Sequence, residues 1–154
     1  MKILIIQHSA ADSPAAASEM LERMGDQVQT VRIDKGDAIP DSVEADVLMA
    51  FGGAISLTNP NLPPWVAREQ ALIRDYVDQG RRVFGVCLGS QIVAGALGAK
   101  VRRNTEPEIG WHTIERVDGV ASPLVANVFA DRMTVLQWHQ DTFDIPPGAT
   151  QLFR

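Results

Sequence analysis

The chain has 154 residues, close to the size of one domain, so one core is expected over 1–154. A composition of 45% hydrophobic and 21% charged residues excludes a disordered chain. A net charge of −5 excludes a general attraction to nucleic acid or an anionic membrane, since the longest basic runs are the pairs Arg81-Arg82 and Arg102-Arg103. The single cysteine excludes an internal disulfide framework and fits a reducing cytoplasm. No Cys/His pattern or acidic ligand cluster suggests a metal, and nothing calls for a cofactor.

In chain order, Lys2 to Gln7 is a continuous apolar run, suited to a strand buried on both faces. It is far too short for a membrane span, which needs about 20 apolar residues; neither a span nor a targeting segment is expected. Ser13-Pro14 marks a helix start, with Glu19, Met20, Leu21 and Met24 following and Gly25 ending it. Residues 27–33 alternate as a more exposed strand, and 34–42 form a loop. A short apolar strand, Asp46 to Phe51, runs into Gly52-Gly53. After a Pro/Asn loop, a helix is predicted from Pro64 to Gln79, with Val66, Ile73 and Val77 on one face and Trp65, Leu72 and Tyr76 beside them. Arg82 to Val86 reads as a buried strand, Cys87-Leu88-Gly89 as a tight turn, and Ser90 to Leu97 as a helix closed by Gly98. Beyond it, strands are predicted over 101–103, 111–117 and 133–138, a short helix from Ser122-Pro123 to Phe129, and a last strand beginning near Thr150. Alternating strands and helices imply a doubly wound, mostly parallel α/β sheet with helices on both faces. In such sheets the site lies beyond the carboxyl ends of the strands, where His8-Ser9, Gly52-Gly53 and Cys87-Leu88-Gly89 fall.

Gly85-Val86-Cys87-Leu88-Gly89 places a thiol between a strand and a helix, the arrangement of a nucleophile elbow. Gly85 and Gly89 lack side chains where strand and helix crowd together. The turn aims Cys87 into the cleft, and a helix N-terminus beside the sulfur suits a reactive thiolate. Backbone N–H groups of Gly53 and Leu88 would form an oxyanion hole, with Gly52 beside them letting the backbone come close to a substrate. The alternative for Cys87 is a small buried hydrophobe.

These residues carry a resemblance. Gly85-Val86-Cys87-Leu88-Gly89-Ser90-Gln91 resembles the nucleophile signature of class I (triad-type) glutamine amidotransferases, and Phe51-Gly52-Gly53-Ala54-Ile55-Ser56 resembles their oxyanion loop. Glu108-Ile109-Gly110-Trp111, Trp138-His139-Gln140-Asp141-Thr142-Phe143 and Pro146-Pro147-Gly148-Ala149 are similar to segments of the stand-alone, GMP-synthase-like branch. The resemblance implies a flavodoxin-like fold and a glutaminase reaction. Cys87 would attack the side-chain amide of glutamine, giving a γ-glutamyl thioester and ammonia, and the ammonia would pass to a synthetase domain or subunit. It implies glutamine-binding roles for Gln91 and His139 and no cofactor.

The family's base is the histidine of a late His-Pro-Glu motif, and none occurs in this sequence, which ends 15 residues after His139. A truncated domain with little or no activity is therefore expected. Its uncovered sheet edge would invite homo-oligomers or a bound remainder. His139-Gln140-Asp141 offers an imitation of His-x-Glu. Three readings of His139 stand open: base, substrate-side residue and structural histidine. His112 alternates with Trp111 and Thr113 on a strand and reads as structural, and His8 as a loop or pocket-lining histidine. A noncatalytic interaction module on the same fold and another cysteine hydrolase are the competing functional readings. No Walker-type phosphate loop identifies the ammonia acceptor.

Overall fold

A computed structural model describes residues 1–120 and 130–154. Its elements are β1 (Lys2–Gln7), α1 (Ala15–Arg23), β2 (Gln27–Arg32), a 3-10 turn at Ile33–Lys35, β3 (Val47–Ala50), α2 (Pro64–Asp78), β4 (Arg82–Gly85), α3 (Leu88–Ala96), β5 (Val101–Glu115) and β6 (Arg132–Phe143). Four strands form a parallel sheet in the order β2-β1-β3-β4, while β5 and β6 form a separate antiparallel pair. Ile3 stands opposite Val28 on one side and Val47 on the other, and Val47 stands opposite Arg82.

The chain leaves β1 towards β2 and then crosses back to β3 and β4 on the opposite side. Right-handed crossovers running in opposite directions lie on opposite faces, so α1 covers one face and α2 the other. The reversal between β1 and β3 is the topological switch point, outside which sheets of this type bind ligands. Because β1 has a neighbour on each side and cover on both faces, Ile3, Leu4, Ile5 and Ile6 are all 2% exposed or less. Leu48, Leu72, Ile73, Tyr76, Leu88 and Ile92 complete the centre of the core.

Several sequence expectations need correction. On α2 the buried stripe is Val66, Glu69, Leu72, Ile73 and Tyr76, and Val77 is exposed. The steps 66, 69, 73 and 76 follow the helical period, so one core-facing position holds a carboxylic acid. The α1 helix buries no residue, and Met20 and Met24 face outward. β4 is not buried on both faces: it pairs with β3 on one side, and Phe84 and Val86 are exposed. The strands expected at 101–103 and 111–117 are one long strand with a register shift between Arg103 and Glu108. The shift spans Pro107, which lacks a ladder N–H, so the stretch reads as a loop in sequence. The predicted helix at 122–129 lies outside the described residues. The last strand reduces to a bridge between Arg116 and Phe153, flanked by paired Glu115 and Arg154. Among the described residues, no helix is long and apolar enough to cross a membrane.

Candidate active site

The site begins with a crowded crossing at the end of β4. A Cβ on Gly89 would stand 2.1 Å from the carbonyl oxygen of Ala50, and one on Gly85 would stand 2.7 Å from Cα of Ser90. Only glycine lets α3 start this close to β3 and β4. The chain turns through Cys87, whose φ of 53° and ψ of −116° lie in a region L-residues rarely occupy. Around the bend, the Val86 amide donates to Ala50 O at 2.9 Å, the Gly89 amide to Phe51 O at 3.1 Å, and Ser90 Oγ to Cys87 O at 2.6 Å. Leu88 opens α3, so its N–H has no carbonyl one turn earlier in the helix to bond.

The oxyanion-loop candidate lies against this bend. A Cβ on Gly53 would come within 2.7 Å of the Leu88 side chain and 2.9 Å of His8 Cβ. Gly53, Cys87, Leu88, Gln91, His139 and Asp141 all line one cleft of about 360 Å³, together with Ser56, Arg103, Ile109, Trp138 and others. Gly52 does not line it; its Cα faces the Asp12 side chain. The Cys87 thiol is partly exposed, and Sγ stands 3.8 Å from the carbonyl oxygen of Trp138. Gln91 is buried, with Nε2 donating to the backbone oxygen of Asp141 at 3.2 Å.

The His139-Gln140-Asp141 segment does not form an acid–histidine pair. His139 Nε2 stands 2.9 Å from Gln137 Oε1 and 3.3 Å from Glu108, whereas the Asp141 carboxyl accepts from Ser56 Oγ. His112 stands opposite Val135 in the β5–β6 pair. Arg103 carries no role in the sequence reading, and Ser56 and Asp141 enter it only as members of the oxyanion-loop segment and of His139-Gln140-Asp141, not as partners of each other. Ser56 and Asp141 are 85 positions apart, and no local pattern announces their pairing.

His8 is also differently placed. Its side chain is 2% exposed and sits behind Gly53. Nδ1 stands 2.8 Å from Phe51 O and Nε2 2.8 Å from Glu69 Oε2, and the ring stacks on Trp65. Burial pushes the imidazole down, but the hydrogen bond and charge of Glu69, with the carbonyls of Phe51 and Gly52, outweigh it. The net shift is above the ordinary histidine value. Among the described residues no group of three or more His, Cys, Asp or Glu could hold a metal ion.

The model of the class-I glutamine amidotransferase family matches residues 15–153. The chain belongs to that family. It is 36% identical over 157 residues to the glutamine amidotransferase-like protein YfeJ of Salmonella typhimurium, covering 99% of this chain and 65% of that protein. It is 33% identical over 106 residues to a glutamine-hydrolysing GMP synthase of Xanthomonas campestris, covering 67% of this chain and 19% of the synthase. A glutamine amidotransferase from Methylobacillus flagellatus superposes with a TM-score of 0.88 at 33% identity, over 99% of this chain and 61% of that one. One from Thermotoga maritima superposes at 0.84 and 29% identity, over 99% and 66%. The chain thus spans about two thirds of the length of YfeJ and of these structural relatives, and about a fifth of the synthase.

Proposed function

We propose that this chain is the thiol-bearing, glutamine-binding part of a glutaminase that supplies ammonia to an acceptor. In this reading Cys87 Sγ attacks the side-chain carbonyl carbon of glutamine, and the amide nitrogen leaves as ammonia. Water then cleaves the γ-glutamyl thioester, releasing glutamate and restoring the thiol. Amides of Gly53 and Leu88 hold the oxyanion; in other enzymes one such donor is worth about 2.7–4 kcal/mol. The observation that carries the reading is the bend at Cys87, with its partly exposed thiol beside Gly53 and the first amide of α3. The cleft is near the small end of the usual range for small-molecule sites, and Arg103 and Asp141 complement the carboxylate and ammonium of an amino acid. Gln91 and His139 line the same wall. The GMP synthase likeness supports a synthetase domain or subunit as the acceptor's carrier.

Glutaminase activity of this polypeptide by itself is expected to be very low. Cys87 has the bend and the donors, but His8 and His139 are engaged with other partners and His112 stands opposite Val135. Loss of the base from a comparable triad costs on the order of a million-fold in rate. That arrangement also favours a second reading, a glutamine-responsive module without turnover.

A chloromethyl ketone analogue of glutamine tests the site. The thiolate displaces chloride and forms a C–S bond. One label per chain is expected by intact mass, slowed by free glutamine and abolished by Cys87→Ser. Labelling indifferent to glutamine would overturn the glutamine reading. Robust glutamate release, abolished by Cys87→Ser, would overturn the low-activity expectation and the second reading together.

A further inference from the structure

We propose that His8 and Glu69 form a buried positioning pair that holds the oxyanion loop in register with the nucleophile bend. The proposal rests on the glutaminase reading only for its kinetic consequence; the structural device stands on its own geometry.

Three segments meet at the carbonyl oxygen of Phe51. His8 Nδ1, from the end of β1, stands 2.8 Å from it, and the Gly89 amide, from the first turn of α3, donates to it at 3.1 Å. Phe51 itself directly follows β3, and its amide donates to Ile6 O at 3.0 Å. A carbonyl oxygen only accepts, so Nδ1 must carry a proton. That fixes the proton on one ring nitrogen and leaves Nε2 facing Glu69 Oε2 at 2.8 Å. An ionised Glu69 then requires the imidazolium, whose charged N–H makes a stronger bond to Phe51 O than a neutral ring would.

The pair is sealed in: the two side chains are 2% and 0% exposed, and Trp65 stacks on the imidazole at 5.1 Å. The other oxygen of Glu69 has no hydrogen-bond partner among the described residues, so His8 is the partner that keeps this acid in a core-facing position. His8 does not line the cleft, and it meets the site only through the backbone of the loop: Phe51 O and the Cα of Gly53. The peptide following Phe51 leads directly to Gly52 and Gly53. Rotating its carbonyl would swing the Gly53 amide relative to Leu88, so His8 sets the separation of the two candidate donors without touching substrate.

The test compares two alkylating probes on the full chain. Iodoacetamide reports thiol access and reactivity without developing charge on a carbonyl oxygen held by the loop; the glutamine chloromethyl ketone engages that oxygen. His8→Leu is expected to slow the chloromethyl ketone about tenfold or more, in line with a weakened oxyanion donor, while leaving iodoacetamide labelling within about twofold. His8→Asn, whose amide nitrogen replaces Nδ1, should restore most of the ratio, which a merely space-filling role would not require. An unchanged ratio in a folded His8→Leu, or in Glu69→Gln should His8→Leu not fold, would overturn the proposal. Should the wild-type chain fail to distinguish the probes, the glutaminase reading fails and amide exchange decides the positioning claim. Faster exchange at the bonded amides of Phe51 and Gly89 in His8→Leu, or in Glu69→Gln should His8→Leu not fold, with β1 unchanged and His8→Asn closer to wild type, supports it; equal exchange at these amides overturns it.

Discussion

At the scale of single residues, the His8–Glu69 pair couples a proton to the folded state. The imidazole is raised above its ordinary value in the fold, so folding favours its protonated form. The stability it contributes is fully present below the unfolded histidine value, about pH 6.5, and is lost as pH rises through the higher folded value. Glu69→Gln removes the carboxylate whose hydrogen bond and charge do most to raise the imidazole against desolvation. The stability difference between wild type and Glu69→Gln should therefore be greatest on the acid side of about pH 6.5 and shrink as pH rises through neutrality. Urea denaturation across that interval measures it, and a difference that grows with pH would contradict the assignment of charge. Sequence could not reveal this pair, since His8 and Glu69 lie 61 positions apart. A helical wheel did offer a hint, because Glu69 occupies the same stripe as Val66, Ile73 and Tyr76.

At the scale of elements, the decisive contact is the crossing of α3 over β3 and β4. Gly89→Ala would press a methyl group onto the Ala50 carbonyl, and overpacking of this kind costs about 1–3 kcal/mol, with the upper end expected for a backbone neighbour. Gly98→Ala is a control: its φ is +84° and no atom waits within 4 Å, so it bears only the left-handed backbone cost, roughly 1–2 kcal/mol. Denaturation midpoints should fall further for Gly89→Ala, and only that variant should also alter the labelling of Cys87. This crossing was legible in sequence because strand, bend and helix are contiguous, and glycine spacing reports crowding directly. The boundaries of β1 are legible for the same reason: an apolar run flanked by polar residues shows its own ends. The β5–β6 pair was not. Its two strands carry Pro107, Gly110 and alternating polar residues, and their partnership is fixed only by a register reaching from Val101 opposite Phe143 to Glu115 opposite Arg132. The site divides likewise: the motifs holding Cys87, Leu88, Gly53 and Gln91 are compact, whereas the pairing of Ser56 with Asp141 and the arrival of Arg103 beside them come only from the tertiary fold.

At the scale of the whole molecule, the parallel sheet and the β5–β6 pair each leave an apolar surface open. Ile109 pairs with Trp138 and Trp111 with Leu136, and all four side chains are more than half exposed. Phe84 on β4, the last strand of the parallel sheet among the described residues, and Val86 just after it are exposed as well. Such a strip on an isolated chain is expected to be covered by association. Light scattering should show species larger than one chain, and Trp111→Lys combined with Leu136→Lys should reduce them; a monodisperse wild-type monomer would contradict this. A larger, open hollow of about 930 Å³ lies at the amino-terminal ends of the strands, around Lys2, Gln27, Asp46 and Arg82, at the end opposite the thiol. It lacks the converging amides and the nucleophile. The thiol's cleft is instead bounded by the segments that follow β3 and β4, with α3, on one side and by the β5–β6 pair on the other, and Asp141 is gripped from both sides, its side chain by Ser56 and its carbonyl by Gln91. That grip works as a rivet, fastening the outer ribbon over the cleft at Asp141. The ribbon's other end is tied separately, by the paired backbones of Glu115 and Arg154, so loosening the rivet should widen the gap above the sulfur without freeing that end.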